Sequence, residues 1–451
     1  MSAQGRRRLG GRRPEAGAGR HVLARARFAA AATATAIALA AGLGGCAHDG
    51  GDVGAGGRRP VEAVPARGGP VAGGGAVDAG KAARPPSEDP AAAFWRGRLD
   101  LLQSPPPPKL AALNLPRVER WRQANGLEVV AVPRPDLPII SFSMAIKAGG
   151  YDEVNGRNEG AADFTAAMLR KGTGRRTADQ IAEAIDNVGG SLDAGANMES
   201  STVTCSVLAK DTALCLDLLA ELTLRPTFPD GEMPEIRDQL LAGIAARADD
   251  PHQLAAEHLG NLLFGEGHPD GWVLTEDDVR RVTRQTLTAF WKAFYRPNNA
   301  ILAVAGDFEV AGIKQGIERA FGKWESAPVP ARPAFQVPPP GDMRVVVVDK
   351  PDLTQATLMA GHAGVRHADP DWYAVTLMNY VLGGSDFSSR LMTEVRSKRG
   401  LTYGIGSSFG ASLYQGAFRI SAATRNETAG EALAVTVAEL AKMKAEGPTA
   451  A

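Results

Sequence analysis

The sequence is poor in cysteine and carries no net charge, and each deficit removes a class of function. It holds 3 cysteines in 451 residues, too few for a disulfide scaffold and without the paired spacing of a structural zinc site. Lysine plus arginine number 50 against 50 for aspartate plus glutamate. That balance offers nothing a nucleic acid would select. Long hydrophobic runs are scarce too. The most apolar stretch, Phe28 to Leu43, is too short to be a comfortable membrane span.

What precedes and follows that stretch gives it a meaning. Eight arginines lie between Arg6 and Arg27, and the apolar run ends in Leu43-Gly44-Gly45-Cys46. A basic region, a short apolar core and small residues before a cleavage point make a secretory signal. The last four residues resemble a bacterial lipobox, which implies residues 1–46 as signal peptide and lipidation at Cys46. Ala47 is not the aspartate that usually retains Gram-negative lipoproteins at the inner membrane, so the expected place is the periplasmic face of the outer membrane. Residues 47–110 are Gly, Ala, Pro and charge, a composition unable to bury enough apolar surface to order itself. As a coil such a tether would span about 45 Å.

Periodic patterns begin near Leu115. Asn125-Gly126 between Val118–Arg122 and Leu127–Val132 predicts a hairpin. Ile140, Phe142, Met144 and Ile146 alternate as a half-buried strand. Thr177-x-x-Gln180 is a capping box opening a helix with Ile181, Ile185 and Val188 on one face, closed by Gly189-Gly190. A strand at Val203–Val207, a helix carrying Leu214, Leu218 and Leu222, two long helices over Met233–Arg247 and His252–Leu263, and a strand at Ile301–Ala305 complete an α+β layer, with antiparallel sheet on one side and helices on the other. Cys205 on the strand and Cys215 on the helix leave both a disulfide and two buried thiols open. A Pro-rich stretch, 328–340, divides residues 111–327 from residues 341–451. In the second part Arg344–Val348 and Gln355–Gly361 read as strands, and Asp369-Pro370 opens a helix stopped by Gly383-Gly384.

His252-Gln253-Leu254-Ala255-Ala256-Glu257-His258 looks like a zinc motif. However, residues six apart point about 120° apart on a helix, so the two histidines cannot share an ion. They read as polar positions on a solvated face.

The segment Gly160 to Thr173, ending in Lys171-Gly172-Thr173, resembles the frame of the inverted zinc motif His-x-x-Glu-His in the M16, or insulinase-like, metallopeptidases. In that motif two histidines on one helical face bind zinc and the glutamate polarises the attacking water. Here those positions hold Asp163, Ala166 and Ala167. The later glutamate ligand of the family corresponds to Gly243. A catalytic zinc takes about three protein ligands, and alanine and glycine side chains offer none. The resemblance thus implies no metal in this chain and no catalytic residue of its own. Further on, Gly383 to Tyr403 resembles the part of the second domain that carries an arginine and a tyrosine seven residues apart, which bind the substrate backbone. Arg396 and Tyr403 match both types and the spacing. They would share a face even if one helix ran on through Gly400, and both can donate to a carbonyl gaining charge.

The implied fold is a tandem of M16-type domains, the second one incomplete at Ala451. The implied function is the zinc-less, substrate-binding subunit of a heterodimer, holding peptides for hydrolysis at the zinc of a partner chain and touching the membrane only through Cys46. A scaffold that has left proteolysis is the alternative. An autonomous peptidase using Asp163 and His258 asks a helix for geometry it lacks.

Overall fold

Asn125-Gly126 closes the first hairpin as its turn chemistry demands. Gly126 takes φ +95°, a backbone region that glycine enters without a Cβ clash, and β1 (Glu119–Arg122) runs antiparallel to β2 (Glu128–Pro133). These strands open a six-stranded sheet with β3 (Ile139–Ile146), β4 (Ser191–Ala196), β5 (Ser201–Leu208) and β6 (Ala300–Gly306), ordered β1-β2-β6-β3-β5-β4. The computed structural model describes residues 116–153, 158–339, 341–410 and 412–448. The expected signal peptide, Cys46 and tether lie outside them.

Alternation places the core. Ile140, Phe142, Met144 and Ile146 of β3 are at most 1% exposed, with Val203, Cys205 and Val207 beside them on β5. The helices α1 (Ala161–Leu169), α3 (Thr212–Leu224), α4 (Met233–Asp249) and α7 (Arg284–Phe294) give Phe164, Met168, Leu218, Leu219, Ile236 and Phe290 to the same cluster. Between α1 and α3 comes α2 (Ala178–Asp186), whose Thr177 hydroxyl accepts from the Gln180 N–H while Gln180 accepts from the Thr177 N–H. α5 (Pro251–Phe264), α6 (Glu276–Arg281) and α8 (Val310–Phe321) complete this half. Removing one large core ring, as in Phe142→Ala, would cost about 3–5 kcal/mol.

The two cysteines are joined: a Cys205–Cys215 disulfide bridges β5 and α3. Both are fully buried, and burial at facing positions on a strand and its covering helix is what brought them together.

After residue 341 the same order recurs in part. β7 (Gln355–Ala363), β8 (Thr402–Phe409) and β9 (Ala417–Arg425) form a sheet ordered β7-β9-β8, the arrangement of β3-β5-β4. As β5 is followed by a 3-10 turn and α3, so β9 is followed by a 3-10 turn and α10 (Ala429–Glu446). Leu382, Leu391, Val395, Leu401, Ile405, Phe418, Ile420 and Ala432 fill its core. The helix expected up to Leu382 is α9 (Trp372–Asn379) continued by a π-helical turn, Tyr380–Gly384.

The strand expected at Arg344–Val348 does not form. These residues pair with nothing among the described strands, and Val347 is 66% exposed. Four successive valines satisfy β-propensity, but a strand exists only with a hydrogen-bonding neighbour. In the first half β2 has β6 in that role; among the described residues no counterpart of β6 lies beside 344–348.

The described residues all fall in one compact unit. Polar and aromatic contacts join its halves. Tyr151 donates to Asp270 at 2.9 Å and lies 3.2 Å from the Ser412 hydroxyl, with its ring edge-on to Tyr414. From the Pro-rich stretch, Arg332 donates to both oxygens of the buried Asp152 at 3.0 and 2.7 Å.

Candidate functional site

The helix α1 carries Asp163, Ala166 and Ala167, the three positions that the sequence resemblance aligns with the zinc motif. It begins after Gly160, whose φ of +78° puts it in the left-handed region. No side chain of Gly160 can cap the helix. Glu153 does so instead: its carboxylate accepts from the Gly160 N–H at 2.9 Å and the Ala162 N–H at 2.8 Å, satisfying donors that a helix start leaves unbonded. Burial, with Asp163 and Glu159 nearby, nonetheless pushes the Glu153 carboxyl up to about 8. The desolvation of a carboxylate outweighs two backbone hydrogen bonds here.

Asp163 sits one turn into α1, lining a cavity of about 650 Å³ with Glu153, Glu159, Met198 and Trp272. Its side chain meets solvent, yet the cavity walls desolvate it and its carboxyl is raised. Ala166 is fully buried, and Ala167 packs against the main core. Gly243 lies on the exposed side of α4, where an added Cβ would meet nothing within 4 Å. α1 and α4 pack together, tied by Lys171 to Glu235 at 2.9 Å and by the Arg237 guanidinium over the Phe164 ring. The two helices that carry the four aligned positions are thus packed on each other. Their donors do not fit a metal: of Asp163, Ala166, Ala167 and Gly243, one carries a ligating atom. Among the described residues no three His, Cys, Asp or Glu side chains converge as an ion would require. His252 and His258 fall on α5, as the sequence places them, and join no such group.

The second predicted pair does come together. The Arg396 guanidinium carbon stands 4.9 Å from the centroid of the Tyr403 ring. A continuous helix is not what brings them there. Arg396 belongs to a π-helical turn, Met392–Ser397, in which the Lys398 N–H bonds back to Thr393. Bonds from Gly400 to Arg396 and from Leu401 to Val395 then close the helix, with Gly400 at φ +63°. The chain turns into β8, and Tyr403 lies at a register shift between Thr402 and Ile405 in the β8–β9 ladder. A bulge of this kind re-aims a side chain away from the sheet. Tyr403 is 88% exposed.

Electrostatics singles out Arg396 from its basic neighbours. Glu394 accepts from both Lys398 and Arg399, and those cations, Lys398 foremost, hold its carboxyl near 2. The Arg396 guanidinium forms no hydrogen bond or ion pair with any described residue. It touches instead a ring that sequence reading passed over, Phe387, whose centroid is 4.5 Å from the guanidinium carbon. The available signal was an aromatic residue in the loop directly before Ser388-Ser389-Arg390-Leu391. Glu153 was also missed; its signal was an acid shortly before a helix that starts without a capping side chain. Neither Arg396 nor Tyr403 forms a hydrogen bond or ring contact with α1 or α4.

Comparison with known proteins gives this geometry its lineage. Residues 129–269 match the insulinase family, peptidase family M16, and residues 281–451 match the peptidase M16 inactive domain. An uncharacterized zinc protease of Mycobacterium tuberculosis is 31% identical over 350 residues, covering 76% of this chain and 77% of that protein. One of Streptomyces coelicolor is 29% identical over 294 residues, 64% of this chain; the chain spans 63% of that relative's length. Among solved structures, a peptidase M16 inactive domain from Pseudomonas fluorescens is similar with a TM-score of 0.66 and 28% identity, covering 74% of this chain and 80% of that one. A protease from Helicobacter pylori shares the fold, with a TM-score of 0.68 at 23% identity, over 73% and 80% of the two chains. With both halves matched in tandem and the relatives aligned across them, the chain belongs to the M16 family of insulinase-like peptidases.

Proposed function

We propose that this chain is a non-catalytic, substrate-binding subunit of a two-chain M16 peptidase, in which a partner chain supplies the zinc and the water-polarising glutamate. One observation carries the reading: the Arg396 guanidinium lies beside Tyr403 with no hydrogen bond or ion pair to any described residue, while the positions that the resemblance aligns with the zinc set hold Ala166, Ala167 and Gly243. A guanidinium with no internal acceptor keeps its donors for a ligand. A peptide carbonyl fits, because both Arg396 and the Tyr403 hydroxyl donate, and both interactions strengthen as the oxygen gains charge at the partner's zinc. On this reading the lipid on Cys46 holds the subunit at the periplasmic face of the outer membrane, and the partner works there too.

The test mixes the purified chain with an M16 chain from the same genome that bears the intact zinc motif, and follows cleavage of a quenched fluorescent peptide. The expected result is no cleavage by this chain alone, cleavage by the mixture, and loss of about a hundredfold to a thousandfold for Arg396→Ala, on the scale of removing one oxyanion donor. Tyr403→Phe should lose less. Equal cleavage with wild-type and doubly substituted chain sinks the reading, and a mixture that never cleaves any peptide favours a scaffold role.

A further inference from the structure

A cavity of about 460 Å³ opens where α4 begins and α6 gives way to α7, and cations dominate its wall. Arg237 of α4, Arg280 of α6 and Arg284 of α7 all line it, against a single carboxylate among its lining residues, Asp230. That carboxylate does little to balance them. Its side chain is 75% exposed, and its one ion pair among the described residues is with Arg284, at 3.8 Å. Arg280 is held by Glu276 and Asp277, neither of which belongs to the wall.

Arg237 is the member that asks for a ligand. It is half-buried, with its guanidinium carbon 5.6 Å from the centroid of the Phe164 ring. Its Nη2 donates to the Val282 carbonyl at 2.9 Å, while Nη1 has no acceptor and the cation no carboxylate partner among the described residues. Half-buried charges are ordinarily paired, because the protein around them removes water that would otherwise stabilise them. An anion brought to Arg237 therefore gains more than one brought to a fully solvated arginine. Arg284 is fixed too: its Nε and Nη2 donate to the Thr227 carbonyl at 3.3 and 2.9 Å, which leaves Nη1 with only the loose Asp230 pair. Two of the three guanidinium groups are thus held in place in advance, which lowers the ordering cost of binding.

We propose that this cavity is a phosphoryl-binding site, taking a phosphate or phosphomonoester group through Arg237, Arg280 and Arg284. It stands independently of the substrate-binding reading above. A guanidinium presents paired N–H donors that match phosphate oxygens. Three of them, entering from α4, α6 and α7, suit oxygens spread tetrahedrally better than the two coplanar oxygens of a carboxylate. The bound group would bridge the start of α4 to the turn between α6 and α7, a junction that the Arg237 bond to Val282 already makes, and through Arg237 it would bear on Phe164 of α1. A soluble phosphoryl compound and a phospholipid headgroup offer the same oxygens, and the test separates them.

The test is isothermal titration calorimetry of the full chain with inorganic phosphate, in an oxyanion-free buffer with sodium chloride adjusted to constant ionic strength. The wild type should bind one phosphate per chain, and its melting temperature should rise with phosphate as mass action requires. Arg284→Gln and Arg237→Gln should each weaken binding about tenfold or more, the scale of one hydrogen bond to a charged group. Arg134→Gln, which removes a cation from an exposed ion pair elsewhere, should leave it unchanged. If Arg237→Gln lowers the melting temperature without ligand, Arg237→Lys takes its place: it keeps the charge and should still weaken binding, because an ammonium lacks the fork. A second arm offers phosphatidylglycerol vesicles. Co-sedimentation that Arg284→Gln abolishes identifies a lipid headgroup as the source, and phosphate binding without vesicle binding identifies a soluble compound. Absence of saturable phosphate binding overturns the proposal. So does equal binding by wild type and Arg284→Gln, or a loss in Arg284→Gln that no substitution of Arg237 shares.

Discussion

Substituting Glu153 by glutamine should change how stability depends on pH, and the direction is fixed by the site. Its carboxyl titrates near 8 in the folded chain against an ordinary 4.5. Between those values the folded state keeps a proton that the unfolded state has released. Stability contributed by the protonated form is therefore full at low pH and falls as pH rises through the window, levelling off above 8. Each pKa unit is worth about 1.4 kcal/mol, so linkage gives a loss of about 2 kcal/mol between pH 6 and pH 8. Glu153→Gln cannot titrate, and its amide turns a donor toward one of the two N–H groups at the start of α1. The variant should be less stable than wild type near pH 5.5 by about 1 kcal/mol, with the gap closing or reversing by pH 8. Urea unfolding of both proteins at half-unit intervals measures the difference and cancels every group they share. A gap constant to within about 0.5 kcal/mol across that range would show that the two backbone bonds, not desolvation, govern this carboxyl.

Two further outcomes follow from contacts described above. Cys205→Ala with Cys215→Ala should cost about 3 kcal/mol in urea unfolding, the entropy of closing a loop of this size, and reductant should act on the folded wild type only as fast as it opens, because both sulfurs are buried. An unchanged midpoint would refute a stabilising role. Arg332→Ala strands the buried Asp152 carboxylate and should cost about 3 kcal/mol, with Arg332→Ala plus Asp152→Asn recovering part of it; the double variant is the arm that separates a buried unpaired charge from lost packing.

Much of the fold was legible because local chemistry and packing agree. Asn125-Gly126 needs a positive φ and gets it, the Thr177 box caps the helix it opens, and the alternation of β3 coincides with burial residue by residue. Legibility failed where a partner remote in sequence decides. Val345 to Val348 carry strong strand propensity yet pair with no strand among the described residues, and nothing local to them reports that. The same holds at the site. Arg396 and Tyr403 could be named from type and spacing, but their meeting depends on a π-helical turn, a left-handed Gly400 and a bulge in β8, none of which has a periodic signature. Phe387 became visible only when the guanidinium was seen to rest on it. The lack of a ligating side chain at Ala166, Ala167 and Gly243, by contrast, is a matter of residue identity alone, since no packing gives alanine a lone pair.

The order of the first sheet has a consequence for how the chain folds. β6 lies between β2 and β3, pairing Glu128 with Ile301 on one side and Ile140 with Gly306 on the other. More than half of the described chain from β1 onward must therefore be available before the central strand can enter. Until it does, β2 and β3 each present an unpaired inner edge, and loop closure over that length is slow compared with the hairpin contacts of β4 with β5. The last strand of the first half to emerge during synthesis is the one its sheet is waiting for, so a pause or truncation before Gly306 would expose two aggregation-prone edges at once.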